Sequence, residues 1–316
     1  MPGSGTNRFP DANDYESAAV DIFAEFTLIH RGPFSARASR ATLHRLRLLR
    51  AEETQARVAY VSLPPDSVFI SFSLDAGLSL VWRGLTLQPG EIVFHSRGER
   101  LHQRTYGTSC WGLIALSPAS LAAFAKTMTG RTLAAPASGQ ILQPSPRDRR
   151  HLMRIHAEAA RLADTKPQIL GHPEVVRGME QELGAVLLTC LTESDRRIET
   201  DAMRHAADIM IRFEAALAIR PCDRWDLAEL CVTVGVSKRT LRRYCAIFLG
   251  VAPSEYIQLR RLRLVRAAIL RAEHTTTRIR ELARVDGFTE PGRFATLYRR
   301  TFGETPSATL RRSVSL

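Results

Sequence analysis

The side chains best placed to do chemistry in this 316-residue chain are its late arginines. From Arg204 to Leu316 there are 21 basic residues against 11 acidic ones, and every basic one except Lys238 is arginine. The first 203 residues hold 23 against 21, so nearly all of the net charge of +12 lies in the last third. A guanidinium is a rigid fork of donors that matches phosphate oxygens and the O6/N7 edge of guanine. A solvated face or an anionic lipid surface would use the same charge, so charge alone favours nucleic acid without deciding it.

Other chemistries are poorly supplied. The five cysteines (Cys110, Cys190, Cys222, Cys231, Cys245) are scattered with no CxxC pair, which reads as buried reduced thiols rather than a zinc ribbon or redox site. None of the nine histidines forms His-x-His, and no P-loop, Rossmann glycine pattern or nucleophile elbow occurs. No metal, cofactor or catalytic residue is expected, and hence no enzyme. No apolar run is long enough to span a membrane, and the polar start lacks a signal-peptide core, so a cytoplasmic protein is expected.

Elements must hold the arginines in place. An apolar helix containing Leu227, Leu230, Cys231 and Val234 runs into Gly235-Val236-Ser237, where glycine supplies a positive φ and serine an N-cap. The helix that follows carries Lys238, Arg239, Arg242 and Arg243, with Leu241, Cys245 and Phe248 turned the other way. A second corner repeats the plan: Ile279, Leu282 and Val285, then Asp286-Gly287-Phe288, a cap at Thr289, Pro291 in the first turn, and Arg293 beyond it. The stretch from Pro253 to Glu273 predicts one helix of 21 residues. That is about 30 Å, close to one duplex turn of about 34 Å.

Upstream, residues 34–116 read as short strands, including Val68 to Leu74 with one face buried and a hairpin turning at Arg83-Gly84. Residues 15–30 predict a short helix after a flexible tail. Residues 146–193 predict two helices, whose stripes (Leu152, Ile155, Ala159, Leu162; Met179, Leu183, Val186, Cys190) either pack on the strands or form a dimer seam. The charged stretch Glu193 to Asp201 reads as a linker. The fold class expected is α+β: an N-terminal antiparallel β-barrel with appended helices and a C-terminal all-α tandem helix-turn-helix domain.

Leu230 to Arg312 resembles the DNA-binding domain of the AraC/XylS family of bacterial regulators. The likeness rests on Ser237, Leu241, Arg243, Gly250-Val-Ala-Pro253, Tyr256, Arg261-Leu262, Ala283, Gly287-Phe288, Phe294, Phe302-Gly303 and Pro306-Ser307. Arg260-Arg-Leu-Arg263, Gly292-Arg-Phe294 and Pro306-Ser-Ala-Thr-Leu310 resemble a subgroup that includes ethanolamine-operon activators. Cys245 and Asp286 depart from the family pattern. The resemblance implies base-facing roles for Arg239, Arg242 and Arg243 and for Gly292, Arg293 and Thr296, with Lys238 and Arg299 as further DNA contacts. It implies double-stranded promoter DNA and RNA polymerase as partners, and activation in response to a small molecule.

Less sharply, residues 34–116 resemble the cupin-like sensor domain that many such regulators carry, best at Gly84 to Phe94. A ligand there would meet Arg37, Trp82, Arg83, His95, His102, Arg104 and Trp111. Some cupins are metalloenzymes, but their first motif needs His-x-His and a following glutamate; His95 and His102, even on adjacent strands, lack a carboxylate partner. The boundaries expected are 1–30 tail and helix, 31–117 sensor, 118–203 helical extension and linker, and 204–316 DNA-binding domain. The rival readings are a cupin-type metalloenzyme fused to a basic domain, and a DNA-binding module without sequence preference.

Overall fold

A computed structural model describes residues 4–18, 22–30, 32–75, 80–220, 225–272 and 276–314. Cys222, Glu273, the first three residues and the stretch before Leu80 in the expected strand Leu78–Trp82 lie outside the described residues. In chain order the first half forms β1 (Gly5–Phe9), α1 (Ala12–Ser17), β2 (Phe23–Leu28), β3 (Ala36–Thr42), β4 (Leu46–Glu53), β5 (Arg57–Ser62) and β6 (Val68–Ser73). β7 (Val81–Trp82), β8 (Leu85–Thr86), β9 (Ile92–Phe94), β10 (Arg100–Arg104) and β11 (Ser109–Leu116) follow. Next come α2 (Pro118–Thr129), β12 (Gln140–Gln143), α3 (Pro146–Thr165), a 3-10 turn at Pro167–Gly171, α4 (Pro173–Thr192) and β13 (Asp195–Arg197). The rest is helical: α5 (Asp201–Ile219), α6 (Leu227–Val234), α7 (Lys238–Phe248), α8 (Pro253–Leu270), α9 (Thr276–Val285), α10 (Pro291–Phe302) and α11 (Pro306–Val314).

The fold is α+β, and its antiparallel β-part is two open sheets. The larger runs β1-β3-β4-β11-β6-β9-β12-β13 and the smaller β2-β5-β10-β7-β8. Three readings need correcting. The start is no free tail: Gly5 pairs with Arg40 and Phe9 with Ala36, so β1 closes one edge of the large sheet. The helix expected over 15–30 is α1 followed by β2, because Ala24, Phe26 and Leu28 alternate into the core between the sheets, a period of two. β6 is buried on both faces, not one: Phe69 faces that inter-sheet core while Val68, Ile70 and Phe72 face the helices. The hairpin at Arg83-Gly84 holds, with φ values of 49° and 79° that fit a two-residue primed turn.

The stripes of α3 and α4 are also resolved. Leu152, Ile155, Ala159 and Leu162, with Leu183, Val186 and Cys190, sit in one cluster with Leu48, Ile70 and Phe72. They are intramolecular packing on the large sheet, which removes them as a dimer seam. Fully buried leucines such as Leu152 and Leu183 each stabilise by about 2–3 kcal/mol relative to exposure. No described helix is long and apolar enough to cross a membrane.

Candidate nucleic-acid interface

The first corner is built as the sequence predicts. α6 ends at Gly235 (φ 79°), whose N–H and that of Val236 both return to the Cys231 carbonyl. Ser237 then caps α7, its Oγ accepting from the Thr240 N–H at 3.1 Å. Leu241, Cys245 and Phe248 are buried against α5 and α6, which leaves Lys238, Arg239, Arg242 and Arg243 exposed along the opposite face. Phe248 fills the core one turn beyond Cys245. Burial pushes the thiols of Cys110, Cys190, Cys231 and Cys245 up, and all four are free.

The second corner differs at its cap. α9 closes at Gly287 (φ 78°), and the Phe288 N–H returns to the Ala283 carbonyl. The residue before α10 is Glu290, not Thr289, and the Glu290 side chain makes no cap hydrogen bond. Proline at the first position removes one orphan donor from that turn. Phe294 and Tyr298 are buried, whereas Gly292, Arg293, Thr296, Arg299 and Arg300 are exposed.

Asp286, anomalous in the sequence, closes against Arg261. That guanidinium lies 4.7 Å above the Phe288 ring and donates through Nε to the Asp286 carbonyl at 2.6 Å. The acceptor is the main-chain carbonyl, which any residue at this position would offer.

Between the corners α8 runs for 18 residues, about 27 Å, ending at Leu270 rather than Glu273. One side packs Tyr256, Leu262, Val265 and Ile269 into the two helical cores. Its other side carries Arg260, Arg263 and Arg266, all buried. Their partners come largely from the first 25 residues: Arg263 meets Glu16 at 3.0 Å and Glu25 at 3.1 Å, and Arg266 meets Asp11. Arg260 lies 3.5 Å from Glu25 and 3.7 Å from Glu214.

Residues 230–312 match the family described as "Helix-turn-helix domain". Over 86 residues the chain is 41% identical to the XylDLEGF operon transcriptional activator 1 of Pseudomonas putida. It is 42% identical over 81 residues to the HTH-type transcriptional regulator GbdR of Pseudomonas aeruginosa. Residues 230–312 are a helix-turn-helix domain. The match takes in about a quarter of the relatives' own length, 25% and 21%, and 27% and 26% of this chain. Among solved structures, the AraC-like transcriptional activator CuxR aligns with 82% of this chain and 94% of its own at 16% identity, with a TM-score of 0.45.

The residues expected to line a ligand site upstream of this helix-turn-helix domain do not converge. Trp82, Arg83 and His95 do meet: the Arg83 guanidinium stacks 5.1 Å from the Trp82 ring, and His95 bonds Ser71 and Glu99 at 2.8 Å each. Arg83 in turn reaches Glu99 at 3.4 Å and Glu199, beside α5, at 3.7 Å. His102 points out of the small sheet to Glu214 on α5, with Nε2 2.9 Å from Oε1, and Arg104 lies beside Gly250 at the end of α7. Trp111 belongs to a knot on Glu53, which also accepts from Tyr15 and Arg57. Arg37 lies on the outer face, paired with Asp164 of α3. Both histidines therefore have the carboxylate partner the sequence did not show, but in separate places; His95 follows β9 and His102 lies on β10 in the other sheet.

These acids are what sequence reasoning missed. Glu53, Glu99 and Glu214 are buried, yet an isolated glutamate in a strand or helix pattern looks like any solvated one. For Glu214, burial acts to raise its carboxyl, and the hydrogen bond and charge of His102 together with Arg260 and Tyr256 bring it below the ordinary range. Among the described residues no three His, Cys, Asp or Glu side chains gather in a metal-binding group.

Proposed function

We propose that the chain is a cytoplasmic, sequence-specific DNA-binding regulator, an activator that answers to a small molecule, rather than an enzyme. The observation that carries this reading is the pair of glycine corners, each presenting arginine on an exposed helix face, held at the two ends of α8. Arg239, Arg242 and Arg243 would read base edges from α7, and Gly292, Arg293 and Thr296 would do so from α10. Lys238 and Arg299 would hold phosphates. Its relatives are named as operon activators and regulators, which supports promoter DNA and RNA polymerase as partners.

In this reading residues 204–316 bind DNA, 31–117 sense, and 118–203 join the two, with 1–30 added to the sensing half by β1, α1 and β2. A homodimer would need surfaces other than the stripes of α3 and α4. Fluorescence anisotropy with cognate and random duplexes over a salt series tests the proposal. A protein making roughly 6–10 phosphate contacts should show a log–log slope of about −5 to −9 and prefer the cognate site. A slope near zero removes the DNA reading, and equal affinity for both duplexes removes sequence specificity.

A further inference from the structure

Two residues at the start of α10 answer to nothing inside the chain. Glu290 stands immediately before the helix, exposed, and its side chain makes no cap hydrogen bond. Among the described residues its carboxylate has no ion pair or hydrogen bond. It shares a hollow of about 280 Å³ with Arg293, Phe288 and Gln258 of α8. Gly292 is the second: a Cβ there would meet nothing within 4 Å, and its φ lies outside the left-handed region. Neither packing nor backbone geometry therefore demands glycine, although glycine loses more freedom on folding than any other residue. A bare spot that the fold does not require leaves room for a partner to approach, and the unpaired acid stands beside it.

An acid is out of place on a surface that must meet phosphates. α10 otherwise exposes Arg293, Arg299 and Arg300, and a carboxylate among them repels the DNA backbone. That repulsion is offset only where the carboxylate faces a donor, and in the major groove the donors are the N4 amine of cytosine and the N6 amine of adenine. Adenine sets its N7 acceptor beside the amine, and an ionised carboxylate has no proton to give it. Cytosine presents the amine without an acceptor. We propose that Glu290 is a specificity-determining residue that accepts a hydrogen bond from cytosine N4, seated there by the close approach that Gly292 allows. The assignment deepens the DNA reading and rests on it.

The test is selection of duplexes from a randomised pool by the full chain, followed by anisotropy on the selected duplex at fixed salt. The wild type should require cytosine at one position that Glu290→Ala no longer discriminates, with preference elsewhere kept. Glu290→Ala should also bind random duplexes more tightly, because a charge that repels phosphate is gone. Glu290→Gln should move that position to adenine, since an amide pairs with both N6 and N7. Replacing that cytosine by 2-pyrimidinone, which lacks the amine, should cost the wild type roughly tenfold or more in affinity and cost Glu290→Ala nothing. Gly292→Leu should melt no lower than the wild type yet weaken binding to every duplex. Unchanged preference at every position in Glu290→Ala overturns the assignment. Equal losses at all positions with a lowered Tm also overturn it, by making Glu290 structural, and wild-type affinity in Gly292→Leu overturns the close approach. The two readings fail differently: a wild-type chain that selects no sequence removes sequence-specific DNA binding and the assignment together, whereas selection that Glu290→Ala leaves intact removes the assignment alone.

Discussion

At the scale of single residues, the arginines divide by what holds them. Arg260, Arg261, Arg263 and Arg266 are buried and tied to acids, carbonyls or rings, so a third of the molecule that looks uniformly basic in sequence keeps only part of its charge for a partner. Arg239, Arg242, Arg243 and Arg293 are exposed on helix faces whose other sides are core. Arg239→Ala, Arg242→Ala or Arg293→Ala should therefore cost about 1–3 kcal/mol on the cognate duplex and relax preference at particular base pairs. Arg299→Ala, at the far end of α10, should weaken cognate and random DNA alike and mainly flatten the salt slope. Anisotropy titrations of each variant on both duplexes check this; equal losses from both groups would mean that these helices do not read bases.

At the scale of elements, the C-terminal helices were legible because every local rule agrees there: 3.6-residue periodicity, glycine at each corner, serine capping α7 and proline opening α8 and α10. The first half was legible only as strands. β1, β12 and β13 have five residues or fewer, too short for a pattern to stand out, and β6 hides its alternation because both its faces are buried. Nor can a sequence say which surface a helical stripe will meet. With Leu183 fully buried under the large sheet, Leu183→Glu should lower stability by about 3 kcal/mol or more, read by denaturant unfolding, without changing the sedimenting mass. A halved mass at unchanged stability would restore the dimer seam.

The same layer contains His156, on α3, fully buried edge-on to Phe72 with Nε2 3.1 Å from the Leu49 carbonyl. Burial pushes its imidazole down to about 4. Between that value and the ordinary one near 6.5, the unfolded chain binds a proton that the folded chain refuses. Stability is complete above about pH 6.5 and declines as pH falls toward 4, by up to about 3 kcal/mol. His156→Gln should flatten that limb in chemical-denaturation curves taken from pH 7 to 4, whatever it does to the plateau. An unchanged slope would show that other groups govern the acid limb.

At the scale of the whole molecule, the two halves meet through buried charge, which the near-neutral balance of the first 203 residues gave no reason to expect. His102 on β10, Glu214 on α5 and Arg260 on α8 form one network, with the Tyr256 hydroxyl donating to Glu214 at 2.5 Å. The hairpin β7–β8 adds to this seam: a side chain at Gly84 would collide with Ile247 and Phe248 of α7. The first helix-turn-helix unit is thus seated on the small sheet while its arginines stay outside. Glu214→Gln keeps the shape but leaves Arg260 with Glu25 as its one carboxylate in the seam, so it should cost about 3 kcal/mol, the low end for removing one partner of a buried pair. Replacing both partners, as His102→Phe with Glu214→Leu, should recover part of the loss, because neither polar group of that pair is then left without the other. Urea unfolding of the full chain, followed separately by Trp111 in the sheets and Trp225 beside α6, reads both effects. If Glu214→Gln unfolds at the wild-type midpoint by both probes, the seam contributes nothing and the halves are independent; if only the Trp225 transition moves, Glu214 serves the helical core alone.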